Sequence, residues 1–198
     1  MKILKTVGII LGFIIALFLI VTAFMSPKSH MERAIVVNAS PATVFSVINN
    51  YQQFNKWSPW AELDPNTKYT FEGPVSGVGA KMKWESSHNQ VGNGAQWILE
   101  SEENKRIKSQ MQFGDMGGTY TSEILLTPVE GGTEVVWTYD GDVTGTGLSS
   151  SLYKVMGLMM DQFLGPMYEQ GLAKLRNLVE SMPKEAEATE PKAASESK

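Results

Sequence analysis

The sequence predicts an α+β domain, seven antiparallel strands wrapped around one long C-terminal helix, preceded by a single transmembrane helix. Three observations predict it. An apolar run without a charged residue extends from Val7 to Met25; the period changes to two between about Lys68 and Asp142, with glycines as punctuation; and helical spacing governs Leu148 to Met182. The expected organisation is a short n-region (1–6), the apolar helix (7–25), a linker (26–30), one domain (31–182) and a disordered tail (183–198).

At 1.5 Å per residue the Val7–Met25 run is about 28 Å long, close to the roughly 30 Å hydrocarbon core of a bilayer. It lacks the polar residues at helical spacing that a buried helix of a small soluble domain shows. Lys2, Lys5 and the terminal amine outweigh Lys28 and Arg33 across it, which predicts a cytoplasmic N-terminus and a domain facing the periplasm or exterior of an inner or plasma membrane. The alternative is a secreted protein cleaved near Ala23, since Val21-Thr22-Ala23 has the small-residue spacing of a cleavage site. The run is longer than an ordinary signal core, which favours an uncleaved anchor. Gly8 and Gly12 form a G-x-x-x-G pair that would let two anchors pack as a weak dimer.

The β-branched stretch Glu32–Asn38 predicts a first strand, and Ser40-Pro41 the cap and first residue of a helix over Pro41–Asn50 that buries Val44, Phe45 and Ile48. A second short helix is expected near Tyr51–Lys56, after which Pro59 and Pro65 stop regular structure. Six further strands follow in a meander, with Gly131-Gly132 as the clearest hairpin turn because both glycines tolerate positive φ. Alternation assigns Val135, Trp137 and Tyr139 to one face and Glu134, Thr138 and Asp140 to the other. It likewise opposes Ala80, Met82 and Trp84 to Lys81, Lys83 and Glu85. In the C-terminal helix, Leu152, Met156, Met159, Phe163, Met167, Leu175, Leu178 and Met182 form the stripe expected to cover the dry face. Gly165-Pro166 predicts a kink or break, and Gly171 a second soft point.

Other chemistry is sparse. The formal net charge is −4 with no cluster of Lys and Arg, so nucleic acid is not an expected partner. Cysteine is absent, which excludes disulfides, thiol nucleophiles and thiolate metal sites. His30 and His88 have no evident carboxylate orienter or second histidine, so neither a metal nor a cofactor is expected. No catalytic residue is assigned; Asp115, Glu123 and Asp140 are read as solvated edge or outer-face carboxylates.

Val37-Asn38-Ala39-Ser40-Pro41 with Val44-Phe45, Trp57-Ser58-Pro59-Trp60, Gly77-Val78-Gly79-Ala80 with Trp84, and Gly131-Gly132-Thr133 leading to Trp137 resemble, in this order, the SRPBCC superfamily. That group includes START lipid-transfer domains and the bacterial polyketide cyclase/dehydrase-like proteins, and the chain is most similar to membrane-anchored bacterial members of the latter. The resemblance spans roughly Met31 to Ser181. It implies a helix-grip fold with a cavity between sheet and helix for a hydrophobic small molecule or lipid. On that reading Trp57, Trp60, Met82, Trp84, Met111, Tyr120, Trp137 and Tyr139 would meet Met156, Met160, Phe163 and Met167 around the ligand. Methionine suits such a wall because its thioether adapts to varied apolar shapes. Two alternatives stay open: a cyclase- or aromatase-like enzyme using Tyr120 or Tyr139, and an interaction module in which these side chains simply fill a closed core.

Overall fold

The computed structural model describes residues 1–114 and 118–183. Helix α1 (Lys2–Ala23) is followed by strand β1 (Lys28–Val37), then three short helices, α2 (Pro41–Ile48), α3 (Tyr51–Phe54) and α4 (Trp60–Leu63). Six strands follow: β2 (Lys68–Glu72), β3 (Lys81–Glu85), β4 (Asn93–Glu102), β5 (Arg106–Phe113), β6 (Thr119–Val129) and β7 (Gly132–Asp142). Two helices complete the fold, α5 (Leu148–Leu158) and α6 (Met160–Glu180). The sheet order is β1-β7-β6-β5-β4-β3-β2, antiparallel throughout. Consecutive strands of the meander are neighbours, and β1 closes the far edge on β7. The sheet folds over α6, and Val135, Leu172, Leu175 and Val179 are buried between them.

Local chemistry explains the element ends. Ser40 accepts the amide of Thr43 at 3.2 Å and Pro41 opens α2, as the sequence predicts. Asn50 caps α3 by accepting from the Gln52 amide at 2.8 Å, so the chain turns there and α2 stops at Ile48, two residues short of the expected end. The buried face of α2 is Val44, Val47 and Ile48; Phe45 is only half-buried. At the β6–β7 turn Gly131 and Gly132 have φ of 86° and 151°, the positive values that the hairpin requires.

Several expectations are corrected. The predicted linker is largely strand: β1 begins at Lys28, whose partner is Asp142, because β7 is long enough to pair with all ten of its residues. The segment between Pro59 and Pro65 is not wholly irregular, since Pro59 precedes the single turn α4, where a proline at a helix start is tolerated. The C-terminal helix breaks at Met159, not at Gly165-Pro166. Pro166 sits in the second turn of α6, where it takes away one backbone donor without ending the helix, and glycine before it has no Cβ to clash with the proline ring.

Gly165 and Gly171 are points of close approach, not hinges. A Cβ on Gly165 would collide with the Arg33 guanidinium, and one on Gly171 would lie 2.8 Å from Cζ3 of Trp137. The covering stripe is also displaced. Helix α6 buries Tyr168, Leu172, Leu175 and Val179, whereas Leu152, Met156, Met159, Phe163 and Met182 are exposed. The predicted tail falls, save Pro183, outside the described residues.

Helix α1 is long and apolar enough to cross a membrane. Thr22 is its one buried residue, bonded through Oγ1 to Ser151 Oγ of α5 at 2.7 Å. A Cβ on Gly8 or Gly12 would meet no atom within 4 Å.

Candidate ligand cavity

The concave face of the sheet and the inner face of α6 enclose a cavity of about 220 Å³. The α2–α3 region contributes Ile48, Tyr51 and Phe54, the following loop Trp57 and Ser58, α4 Trp60, and α6 Leu164 and Tyr168. From the strands come Met82, Trp84, Gln96, Met111, Phe113, Trp137 and Tyr139, placed on one face by the two-residue period.

One end is an aromatic cluster. Trp137 stacks on Tyr168 with ring centroids 3.9 Å apart and meets Trp57 edge-on at 5.1 Å; Trp60 stands edge-on to both Trp137 and Tyr168 at 6.2 Å. Offset-stacked and edge-to-face contacts are the favoured arrangements for ring quadrupoles and make a stiff wall. Gly171 makes the stacking fit by letting α6 approach Trp137.

A row of small polar groups crosses the centre of the same face. Ser109 and Ser122 are buried partners across β5 and β6, in register with Tyr139 of β7. The Tyr51 hydroxyl donates to Ser109 Oγ and Trp137 Nε1 donates to Ser122 Oγ, each at 2.7 Å. Burial pushes the Tyr139 phenol up to about 12 and raises those of Tyr51 and Tyr168 further, so all three stay protonated donors at neutral pH.

Three buried polar atoms of residues that line the cavity have no hydrogen-bond partner among the described residues, Trp57 Nε1, Ser58 Oγ and Gln96 Nε2, and each is covered by its neighbours rather than open to the cavity. An unpaired polar group in an apolar surrounding costs about 1–3 kcal/mol, which an acceptor in the cavity would recover where a side-chain rotation brings the donor to it. Among the described residues the wall contains no Asp, Glu, His, Lys or Arg.

Of the twelve residues singled out from the sequence, Trp57, Trp60, Met82, Trp84, Met111, Trp137 and Tyr139 line the cavity. Tyr120 does not: it is buried beside it, 5.5 Å from Phe113 and stacked on Tyr139 at 6.4 Å. Nor do Met156, Met160, Phe163 and Met167. The break at Met159 lets α5 diverge, and the inner face of α6 runs through Leu164 and Tyr168, one residue beyond Phe163 and Met167, a turn of about 100°. The sequence reading missed Tyr51, Gln96, Ser109, Ser122 and Tyr168. The signal for the serines was present, since each interrupts an apolar register, Ile107-x-Ser109-x-Met111 and Tyr120-x-Ser122-x-Ile124.

Outside the cavity, His30 does have a carboxylate orienter, contrary to the sequence reading. Pairing of β1 with β7 sets it opposite Asp140, with Nδ1 and Oδ1 2.7 Å apart, and this hydrogen bond raises its pKa. Both side chains are more than half exposed. Glu123 pairs with Arg106 at 2.7 Å, and Asp115 lies outside the described residues. Among the described residues no group of three or more His, Asp or Glu could hold a metal ion.

A seven-stranded antiparallel sheet closed on a long C-terminal helix around an apolar cavity defines a helix-grip protein. The model of the family described as polyketide cyclase / dehydrase and lipid transport matches residues 28–180, and the chain belongs to that family. Among solved structures it is similar to CV1439 from Chromobacterium violaceum (19% identity, TM-score 0.53, covering 78% of this chain and 99% of that one). It is also similar to the Zhui aromatase/cyclase from Streptomyces sp. R1128 (14%, 0.57, 77% and 94%). A third is the di-domain ARO/CYC StfQ from the steffimycin biosynthetic pathway, of which it spans about half (12%, 0.56, 77% and 51%). At such identities the likeness is one of fold. No curated protein matches the chain in sequence.

Proposed function

We propose that this chain is a single-pass membrane protein whose domain binds a compact apolar molecule bearing at least one acceptor oxygen. The observation that carries the reading is the cavity itself, an aromatic and thioether wall in which Trp57, Ser58 and Gln96 each hold a buried donor with no partner among the described residues, within a side-chain rotation of the space. Size narrows the ligand. A dry cavity of about 150 Å³ accepts benzene, so 220 Å³ suits one or two rings or a short acyl segment. Typical drug-sized pockets run from about 300 Å³ upward, so a long lipid would enter only in part.

Binding is favoured over turnover because, among the described residues, the wall offers no carboxylate or imidazole for proton transfer at neutral pH, only phenols held protonated by burial. An uncleaved anchor is favoured because Thr22, one residue before the predicted cleavage point, is sealed against Ser151. The orientation follows the charge bias, with the N-terminus cytoplasmic and the domain outside.

The test is to purify the full chain in mild detergent, extract it into organic solvent and identify bound species by mass spectrometry. A stoichiometric oxygen-bearing aromatic or acyl compound, depleted in Gln96→Met while the circular dichroism spectrum is unchanged, is the expected result. Protein that carries nothing and takes up no apolar dye would leave a closed interaction module as the better account.

A further inference from the structure

The surface of α5 and the first turn of α6 that faces away from the sheet is apolar. Leu148, Leu152, Met156 and Met159 follow steps of four, four and three along α5 to its C-cap, Phe163 follows in the first turn of α6, and each is between 42% and 59% exposed. Monomeric soluble domains rarely show a contiguous apolar patch of this kind without a partner. Its position identifies the partner. On the adjoining face of α5, Ser151 holds Thr22 Oγ1 and Lys154 Nζ donates to the Thr22 carbonyl at 3.1 Å, so α5 is fastened to the last turn of α1. Over the rest of its length α1 exposes Ile9, Phe13, Leu17 and Ile20 to whatever surrounds it. The stripe therefore begins at the level where the anchor leaves its apolar medium.

We infer that α5 and the start of α6 lie along the bilayer surface that α1 enters, with the Leu148–Phe163 stripe set into the boundary between headgroups and acyl chains, a depth of about 5–10 Å for such helices. The inference rests on the anchor reading and is independent of what fills the cavity. It gives the domain a fixed posture. Phe163 on the lipid side and Leu164 on the cavity wall are consecutive residues of one helix, so bilayer contact and cavity wall belong to the same rigid element.

The absence of cysteine makes the test clean. The full chain is reconstituted into phosphatidylcholine–phosphatidylglycerol vesicles with an environment-sensitive NBD label at Leu152→Cys, Phe163→Cys, Ile14→Cys or Leu99→Cys. Leu99, exposed and apolar on β4, lies four strands from β1 and controls for labels that insert by themselves. Blue-shifted emission at residues 152 and 163, lost to lipids spin-labelled near the headgroup, is expected, while residue 14 responds to deep acyl quenchers and residue 99 only to aqueous iodide. If residues 152 and 163 behave like residue 99 while residue 14 is quenched, this inference falls and the anchor stands; if residue 14 also fails, the anchor reading falls with it. Protection from iodide without lipid quenching, fading as protein density in the membrane is lowered, would put a second copy on the stripe and overturn the bilayer assignment.

Discussion

The two buried glycines of α6 provide a matched test of how the helix seats on the sheet. Neither has positive φ, so alanine gains about 1 kcal/mol of helix propensity at 171, while at 165 the new Cβ also meets the ring of Pro166, which offsets much of that gain. What the new methyl meets differs. At Gly165 it meets the tip of Arg33, a side chain 25% exposed whose ion pairs with Asp161 and Glu169 are at the surface. Such pairs contribute about 0–1 kcal/mol and the guanidinium can swing outward, so Gly165→Ala should be close to neutral. At Gly171 it lies 2.8 Å from Trp137 and 3.2 Å from Pro59, and Trp137 is wedged between Trp57 and Tyr168 with nowhere to go. Overpacking of this kind costs about 1–3 kcal/mol, so Gly171→Ala should be destabilised by up to about 2 kcal/mol. The variants should differ by about 2 kcal/mol, or roughly 4–8 °C in melting temperature for a chain of this size. Thermal unfolding followed by near-ultraviolet circular dichroism reads both stability and the tryptophan environment. A Gly171→Ala protein that melts at or above Gly165→Ala with an unchanged tryptophan spectrum would refute the seating of α6 on Trp137.

His30 should titrate above 6.5 in the folded chain, chiefly through its hydrogen bond to Asp140, and Asp140→Asn should bring it back down; proton NMR of the imidazole reads both. Because the folded pKa is the higher one, its contribution to stability is complete below pH 6.5 and is lost as pH rises through the folded value. Ser58→Ala should raise the stability of ligand-free protein by about 1 kcal/mol, since it removes a buried hydroxyl that nothing pairs, while weakening retention of the native ligand. A loss of stability in chemical denaturation would mean that the hydroxyl has a protein partner. Gly132→Ala should cost more than about 2 kcal/mol, because its φ is 151° and a Cβ there would strike the Val37 carbonyl. Gly131→Ala, with open space around it, should cost only about 1–2 kcal/mol, and urea melts of the pair separate turn strain from backbone collision.

What the sequence disclosed follows from how local each signal is. Strand alternation assigned Met82, Trp84, Trp137 and Tyr139 to one face because pleat geometry leaves a side chain only two choices. Helical residues have a full circle of directions, and the stripe drawn through Met156, Phe163 and Met167 was one residue out. The reading followed methionine and phenylalanine and passed over Tyr168, whose polar tip disguised a fully buried ring. Gly165 and Gly171 were legible as glycines but not as contacts, since Arg33 and Trp137 are distant in sequence and adjacent only after folding. The exposure of the α5 stripe was hidden for a related reason. An amphipathic helix reads the same whether its apolar face meets a sheet or a membrane.

On the anchor reading, the bilayer beside the domain also bears on what its cavity must select. A site beside a bilayer is surrounded by acyl chains at far higher concentration than any minor ligand, and an aromatic, thioether-lined wall would accept hydrocarbon readily. The unpartnered donors of Trp57, Ser58 and Gln96 work against that competitor. Hydrocarbon entering the cavity would leave these groups as unpaired as they are in the empty protein, whereas an oxygen-bearing ligand toward which one of them turns would recover about 1–3 kcal/mol. A single donor thus discriminates by roughly tenfold to a hundredfold, and two acting together by the product if they are independent. On this reading the apolar wall provides affinity, and the isolated polar atoms provide the selectivity that proximity to the membrane makes necessary.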